Sequence, residues 1–524
     1  MVKEDREHWK RLAAKARGAL VMAILACTVV VSATGLIAAR WLLRPAEEDE
    51  RPAKRAALAT SQTALFRDWP KPDVAVVLSG QQFGYLQPCG CSEPQKGGLA
   101  RRFNLFQNLR QRGWDVVAGD LGDIAQPGGS STPLEQALLK YKYSMLALKE
   151  IKYSGVAIGA NEMRLHLLTT LAEFALNERS PRVLAANLKD KEKEFPEMVG
   201  STTVSTGKEG TPKVGFVGIV GPSVAKLSQD PEARFESDEK ALPAALTELQ
   251  KQGAELRVLL YQGTQEEATA CAKRFPKFQI ILCLTQEEEP SGRPEQVGNS
   301  LIIGVGHKGR YVGVVGAYGG KTPGQPFQLR YELVALGPEF ETPEGKEKDN
   351  PIHALLQRYA EEVQKGNYLA KFVHTAKHRV QIDFPKATYV GSEQCKKCHE
   401  AAYAIWEASP HPHAYEALVN KAKRPTLRQF DGECVACHVI GFGYAGGYTD
   451  EQHTPNLKGV GCESCHGPAS LHVANHKDKQ IRAALNPWKG NTSLINDSCQ
   501  KCHDSDNSVN FKFEKYWKDK KIEH

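Results

Sequence analysis

The sequence predicts two bodies of unlike class behind a membrane anchor: an α/β layered domain, then a mostly helical and irregular segment nearly free of strands. Three observations carry this. Apolar runs of strand length alternate with amphipathic, helix-like runs from Asp73 to about Leu336. The alternation stops after about Ala387, where His and Cys become frequent. Near the N-terminus, the stretch from Gly18 to Ala39 contains no charged residue. A chain of 524 residues exceeds one ordinary core, so separate domains are expected.

The anchor comes first. About 20 apolar residues span a bilayer as a helix, and residues 18–43 supply them. Lys3, Arg6, Lys10, Arg11, Lys15 and Arg17 fill a basic tail at 1–17, which the positive-inside rule keeps cytoplasmic. The bulk of the chain is then extracytoplasmic, on the periplasmic side of a single-pass membrane anchor. A cleaved signal peptide is the rival, but its apolar core usually runs only about 7–15 residues. Residues 44–72 are polar, charged and alanine-rich, and read as a linker.

The α/β domain spans 73–336. "DVAVVLS" (73–79), "WDVVAG" (114–119), "SGVAIG" (154–159), "RVLAANL" (182–188) and "KVGFVGIVG" (213–221) read as buried strands, with "LEQALLKYKYSMLALKEI" (134–151) as a helix between two of them. "LRVLLYQG", "FQIILCL" and "NSLIIGVG" continue the pattern. Such alternation predicts layers with largely parallel pairing. Residues 337–387 read as a linker with one helix, "IHALLQRYAEEV", and the strand-poor domain spans 388–524. The formal charge of +7 is spread along the chain, and no arginine-rich, aromatic-interleaved patch marks a nucleic-acid partner.

Eight of the 13 cysteines fall in the last segment, all as C-x-x-C followed by His: "CKKCH" (395–399), "CVACH" (434–438), "CESCH" (462–466) and "CQKCH" (499–503). Each such unit is an attachment signal for haem c. Cys395 and Cys398, Cys434 and Cys437, Cys462 and Cys465, and Cys499 and Cys502 would form the thioethers. His399, His438, His466 and His503 would be the proximal iron ligands of four covalent haems. Zinc could use the same cysteines in two four-ligand sites, but it gives no reason for His to follow every pair. A disulfide reading leaves all four histidines unexplained. The segment is also poor in apolar stripes, so four haems would supply the core it lacks. His411, His472, His524 and His413 are the candidates for the distal iron positions, with His374, His378, His453 and His476 nearby.

"CHVIGFGYAGGYT" (437–449), "GVGCESCHGP" (459–468) and the pattern of Ser409, His411 and Ala414 resemble the multihaem cytochrome family that includes the tetrahaem electron acceptor of hydroxylamine oxidoreductase. The resemblance covers about a quarter of the chain and implies closely packed haems that pass single electrons, one iron of the relative lacking a sixth ligand.

"GGLARRFNLFQNLR" (97–110), "DLGD" (120–123), "VLAANL" (183–188) and "GVGHKGRYVGVV" (304–315) resemble the 5′-nucleotidase branch of the calcineurin-like metallophosphoesterases. That resemblance implies a sandwich of two mixed sheets flanked by helices, and a site for two metal ions. The ligand pattern fails here. Gln81, Gln82, Phe83 and Gly84 stand for D-x-H-G; Gly159, Ala160, Asn161 and Glu162 stand for G-N-H-E. Gln262 replaces a ligand His, "CLTQ" (283–286) replaces G-H-x-H, and only Asp123 fits. Between residues 60 and 352 the histidines are His166 and His307. No second metal is assigned. Cys89, Cys91, Cys271 and Cys283 remain, as disulfide, buried thiols, redox pair or soft-metal site, and the basic "GGLARR" could lower a thiol pKa or bind an anion.

The expected function is electron relay by a membrane-anchored tetrahaem cytochrome with donor and acceptor proteins as partners, more an electron carrier than a hydrolase. A redox enzyme acting on a small nitrogen or sulfur species at one open iron is the alternative, and a metal-dependent phosphoesterase the weaker third.

Overall fold

The run "VAVVLS" at 74–79 has no charged residue, and all six side chains are buried, as in a strand covered on both faces. This strand, β1 (Val74–Ser79), pairs in parallel with β2 (Val116–Asp120), which sets Ser79 beside Asp120. On its other side it pairs antiparallel with β14 (Tyr311–Tyr318). The computed structural model that reveals this describes residues 65–88, 95–126, 132–190, 195, 197–205, 207–228, 233–320 and 326–519. The predicted anchor and basic tail, most of the first linker, Cys89, Cys91 and His524 lie outside the described residues. Among the described residues no helix is long and apolar enough to cross a membrane.

Two sheets form the α/β domain. The first has seven strands in the order β15-β14-β1-β2-β3-β4-β6, adding β3 (Gly155–Ala157), β4 (Arg182–Leu184), β6 (Val199–Gly200) and β15 (Gln328–Ala335). The second has six in the order β12-β13-β11-β10-β8-β7: β7 (Thr202–Ser205), β8 (Val214–Val220), β10 (Leu256–Gln262), β11 (Ile280–Cys283), β12 (Glu295–Val297) and β13 (Ser300–Ile303). A two-stranded ribbon joins β5 (Leu188–Asp190) to β9 (Ala233–Phe235). Each apolar run read from the sequence contains a strand. Pairing is mixed rather than largely parallel: β14, β15, β7 and β12 run antiparallel to a neighbour. β15 escaped the sequence reading because it alternates. Leu329, Tyr331 and Leu333 face the core, while Gln328, Arg330 and Glu332 interrupt them.

The main core lies between the sheets, with Val76, Leu78 and Val117 of the first against Phe216, Val258 and Leu260 of the second. Two glycines permit this approach. A side chain at Gly218 in β8 would run into the carbonyl of Leu184, and one at Gly119 in β2 would meet the Phe216 ring. Helices Asp238–Lys251 and Gln265–Arg274 cover the outer face of the second sheet and enclose Cys271 and Cys283 among Leu242, Phe278 and Ile281. Those two cysteines are free thiols, which burial pushes up to about 12. Helix Leu134–Ile151 forms over its predicted span, and helix Pro351–Gly366 packs on it through the Tyr143 and Tyr359 rings.

After Ala387 there is no strand among the described residues, only short helices, turns and isolated bridges. Two small apolar clusters hold the segment, one around Tyr389, Val439, Ile440 and Tyr448, the other around Val380, Ala469 and Ile481. They are slight beside the core between the sheets, and such clusters alone order a segment of this length weakly.

Candidate haem-attachment site

Every C-x-x-C-H unit is a single helical turn. Backbone N–H groups of His399 and His503 donate to the carbonyls of Cys395 and Cys499 at 2.9 Å, and that of His438 donates to Val435 at 2.9 Å. Cys462–His466 is a helix outright. A helical turn puts positions i, i+3 and i+4 on one face, so both thiols and the imidazole of each unit project together. That is what a covalently clamped ring with an axial ligand requires. None of the eight closes a disulfide with its C-x-x-C neighbour.

The imidazoles are oriented from behind. His438 Nδ1 donates to the Ala414 carbonyl at 2.6 Å, His466 Nδ1 donates to Leu485 at 2.9 Å, and His503 Nδ1 lies 2.9 Å from Ser508 Oγ. Holding Nδ1 in this way fixes the tautomer and leaves Nε2 as the ligating atom. Burial lowers the pKa of His411, His438, His472 and His503, which keeps these rings in the neutral, ligating form.

Two predicted distal histidines face two predicted proximal ones. The ring centres of His399 and His472 are 6.1 Å apart, and those of His411 and His503 are 6.2 Å apart. A metal–imidazole bond of about 2.0 Å on each side, with about 1.2 Å from Nε2 to the ring centre, would space two ligating rings roughly 6.4 Å apart. The residues present therefore fit haem iron between paired imidazoles. His472 Nδ1 is buried without a hydrogen-bond partner. His413 is exposed and pairs with Glu416 at 3.0 Å, and His453 is exposed beside Asp450. His374 is half-buried between Phe372 and Phe442, and His378 caps helix Arg379–Asp383 close to Gly467. Among the described residues no second imidazole pairs with His438 at the spacing of the two pairs.

The units also adjoin one another. The Cys395 thiol meets that of Cys462, Cys465 lies within electrostatic reach of Cys499, and the Cys437 thiol meets that of Cys502. Inside "CESCH", Glu463 is buried and accepts N–H bonds from Val390, Gly391 at 2.7 Å and Ala469 at 2.9 Å, which ties two chain segments to this turn.

The units at 434–438 and 499–503 rest on the α/β domain. Asp431 caps the turn before Cys434 and accepts from Gln136 at 3.0 Å and the Tyr359 hydroxyl at 3.1 Å. Glu433 is bound by Lys140 and Gln126. Beyond His503, Asp506 is bound by Lys308 and Arg310, and its carbonyl accepts from Gln95 at 2.8 Å.

These contacts lie near the carboxyl edge of the sheets, where α/β folds place sites. The residues there are committed to the protein itself. Gln81 forms a two-way bond with the Thr285 backbone at 3.1 Å, Gln82 donates to Ser144 at 2.9 Å, and Gln262 donates to the Leu121 carbonyl at 2.7 Å. His307 Nε2 lies 2.8 Å from the Thr285 carbonyl. Glu162 accepts from Ala125 and Gly159 at 2.8 Å, and Asp123 accepts from Asn161 at 2.9 Å. Burial, with Asp123 nearby, raises the Glu162 carboxyl to about 7. Asp120, the first residue of "DLGD", ends β2 fully buried, with Ser79 donating to it and Arg102 3.6 Å away. The arginines of "GGLARR" thus have internal partners: Arg101 binds Glu341 at 2.7 Å, and Arg102 sits against Asp120. Among the described residues no group of three or more His, Cys, Asp or Glu is arranged to hold a metal ion.

Residues 394–467 match the family of cytochrome c554 and c-prime. In particular, cytochrome c-554 of Nitrosomonas europaea is 34% identical over 154 residues, covering 26% of this chain and 64% of that protein. The 5′-nucleotidase of Diplobatis ommata is 27% identical over 202 residues, 37% of this chain and 33% of that protein. Among solved structures, the 5′-nucleotidase precursor of Thermus thermophilus is similar with a TM-score of 0.47 and 22% identity, over 56% of this chain and 59% of that one. The chain spans less than two thirds of each of these proteins. Both families resembled in the sequence are thus matched, the cytochrome family over residues 394–467 and a 5′-nucleotidase at 27% identity.

Proposed function

We propose that this chain is a membrane-anchored, extracytoplasmic tetrahaem cytochrome that relays electrons between redox proteins, with an α/β domain that supports the haem segment instead of hydrolysing a substrate. The observation that carries the reading is the pair of imidazole pairs, His399 with His472 and His411 with His503, each joining a C-x-x-C-H histidine to a distant one at 6.1 and 6.2 Å. Haem c, when bound, supplies one-electron chemistry at its iron. The protein's part is to hold the rings and their order. Cys395 beside Cys462, Cys465 near Cys499 and Cys502 beside Cys437 support a linear arrangement of the units: 395–399, 462–466, 499–503, 434–438. The uncharged stretch within 18–43, behind its basic tail, supports the anchor. The glutamines that stand for metal ligands, and their bonds to backbone and Ser144, support a domain without hydrolytic chemistry.

A second reading rests on His438, which has no facing imidazole of this kind among the described residues. An open iron there would suit a small nitrogen or sulfur species as ligand and substrate. Haem quantification and intact mass of the full-length protein test the common ground. The expected result is four covalent haems, falling to three when Cys434 and Cys437 are both changed to Ser. Zinc, or fewer than four haems in the unaltered protein, would overturn it.

A further inference from the structure

The α/β domain touches the haem segment through charges, and those charges sit beside two attachment turns. Lys140 comes from the middle of helix Leu134–Ile151 and is 3% exposed. Burial alone would push its ammonium down. Glu433 and Asp431 outweigh that and hold it above the usual lysine range. Glu433 immediately precedes Cys434. The groups acting on Cys434 are Asp431, Arg428, Glu433 and Lys140, two acids and two cations. With Lys140 in place the four charges cancel. Without it, the partly exposed Glu433 carboxylate beside the attachment turn loses its cation.

We propose that Lys140 of the α/β domain sets the reduction potential of the haem carried by Cys434 and Cys437, an inference that rests on the tetrahaem reading above. The ferric form of a haem carries one more positive charge than the ferrous form. An uncompensated carboxylate nearby therefore favours the oxidised state, and an uncompensated ammonium favours the reduced state. Lys140 is enclosed and Glu433 only partly exposed, so the pair is screened less than free surface charges are. The domain thus acts on this haem electrostatically, besides any role in support.

The test is a redox titration of the full-length holoprotein, followed by EPR so that the haems are resolved. Lys140→Met lowers the potential of one haem component and leaves the others in place. Glu433→Gln raises the potential of that same component, and the double variant returns it towards the unaltered value. Lys149→Met, which removes a partly exposed lysine paired with Glu178 on the same helix, shifts nothing. Potentials unchanged in both single variants with four haems bound would overturn the inference, as would shifts of the same sign in both. Should Lys140→Met fail to fold, Glu433→Gln decides alone, since Glu433 is partly exposed and an unshifted or lowered potential contradicts the proposal. Fewer than four haems in the unaltered protein would instead sink the underlying reading.

Discussion

Asp123 and Glu162 illustrate what burial does to a carboxyl group held among backbone donors. Both are buried at the strand edge, and burial raises both. Glu162 reaches about 7, above the 4.5 of a free glutamate. Because the folded value is the higher one, the native state binds the proton more tightly. Stability is then greatest below about pH 4.5, declines as pH rises to about 7 and is flat above. The whole effect is at most about 3.5 kcal/mol, from about 1.4 kcal/mol per unit. Glu162→Gln should flatten the decline, read as thermal midpoints by circular dichroism between pH 4.5 and 7.5. A slope unchanged in the variant would remove Glu162 from the account. The proposed attachment residues could be picked out at this scale because C-x-x-C-H couples chemistry to a fixed local spacing. The roles of Glu463 and Asp120 could not, because their partners, Val390 and Ala469 for one and Arg102 for the other, are fixed only by the fold.

Among the elements, period and length decided what could be read. Buried runs such as "VAVVLS" and "VGFVGIV" have no competing interpretation, and helix 134–151 carries a long apolar stripe with Leu138, Met145 and Leu148 buried. The antiparallel edges were hidden, since β12 and β15 mix polar with apolar residues and owe their place to pairing rather than to burial. The gap between the sheets shows what glycine does for an element. Gly218→Val would force β8 away from the Leu184 carbonyl, and we expect overpacking of about 3 kcal/mol or a failure to fold. Urea unfolding measures the loss, and a variant as stable as the parent would mean that the sheets have slack.

For the whole molecule, the haem segment and the α/β domain are tied by ion pairs rather than by a shared core. Asp506 is the clearest case, clasped by Lys308 and Arg310, the latter with a side chain only 9% exposed. Asp506→Ala leaves those cations with Glu288 alone and should cost about 3 kcal/mol. Limited proteolysis should then cut the chain beyond His503 sooner than in the parent; equal resistance would show that the clasp contributes little. None of this was legible in sequence, because a charge that docks and a charge that faces solvent look alike along the chain.

The central claim is that imidazole pairs close the irons of an electron relay. Low-temperature EPR of the oxidised full-length protein, with haem quantified on the same sample, tests it most directly through His472→Ala and His411→Ala. Each variant should keep four haems, because the thioethers and proximal histidines are intact, and each should convert one low-spin signal to high spin. Spectra identical to the parent in both variants would contradict the account.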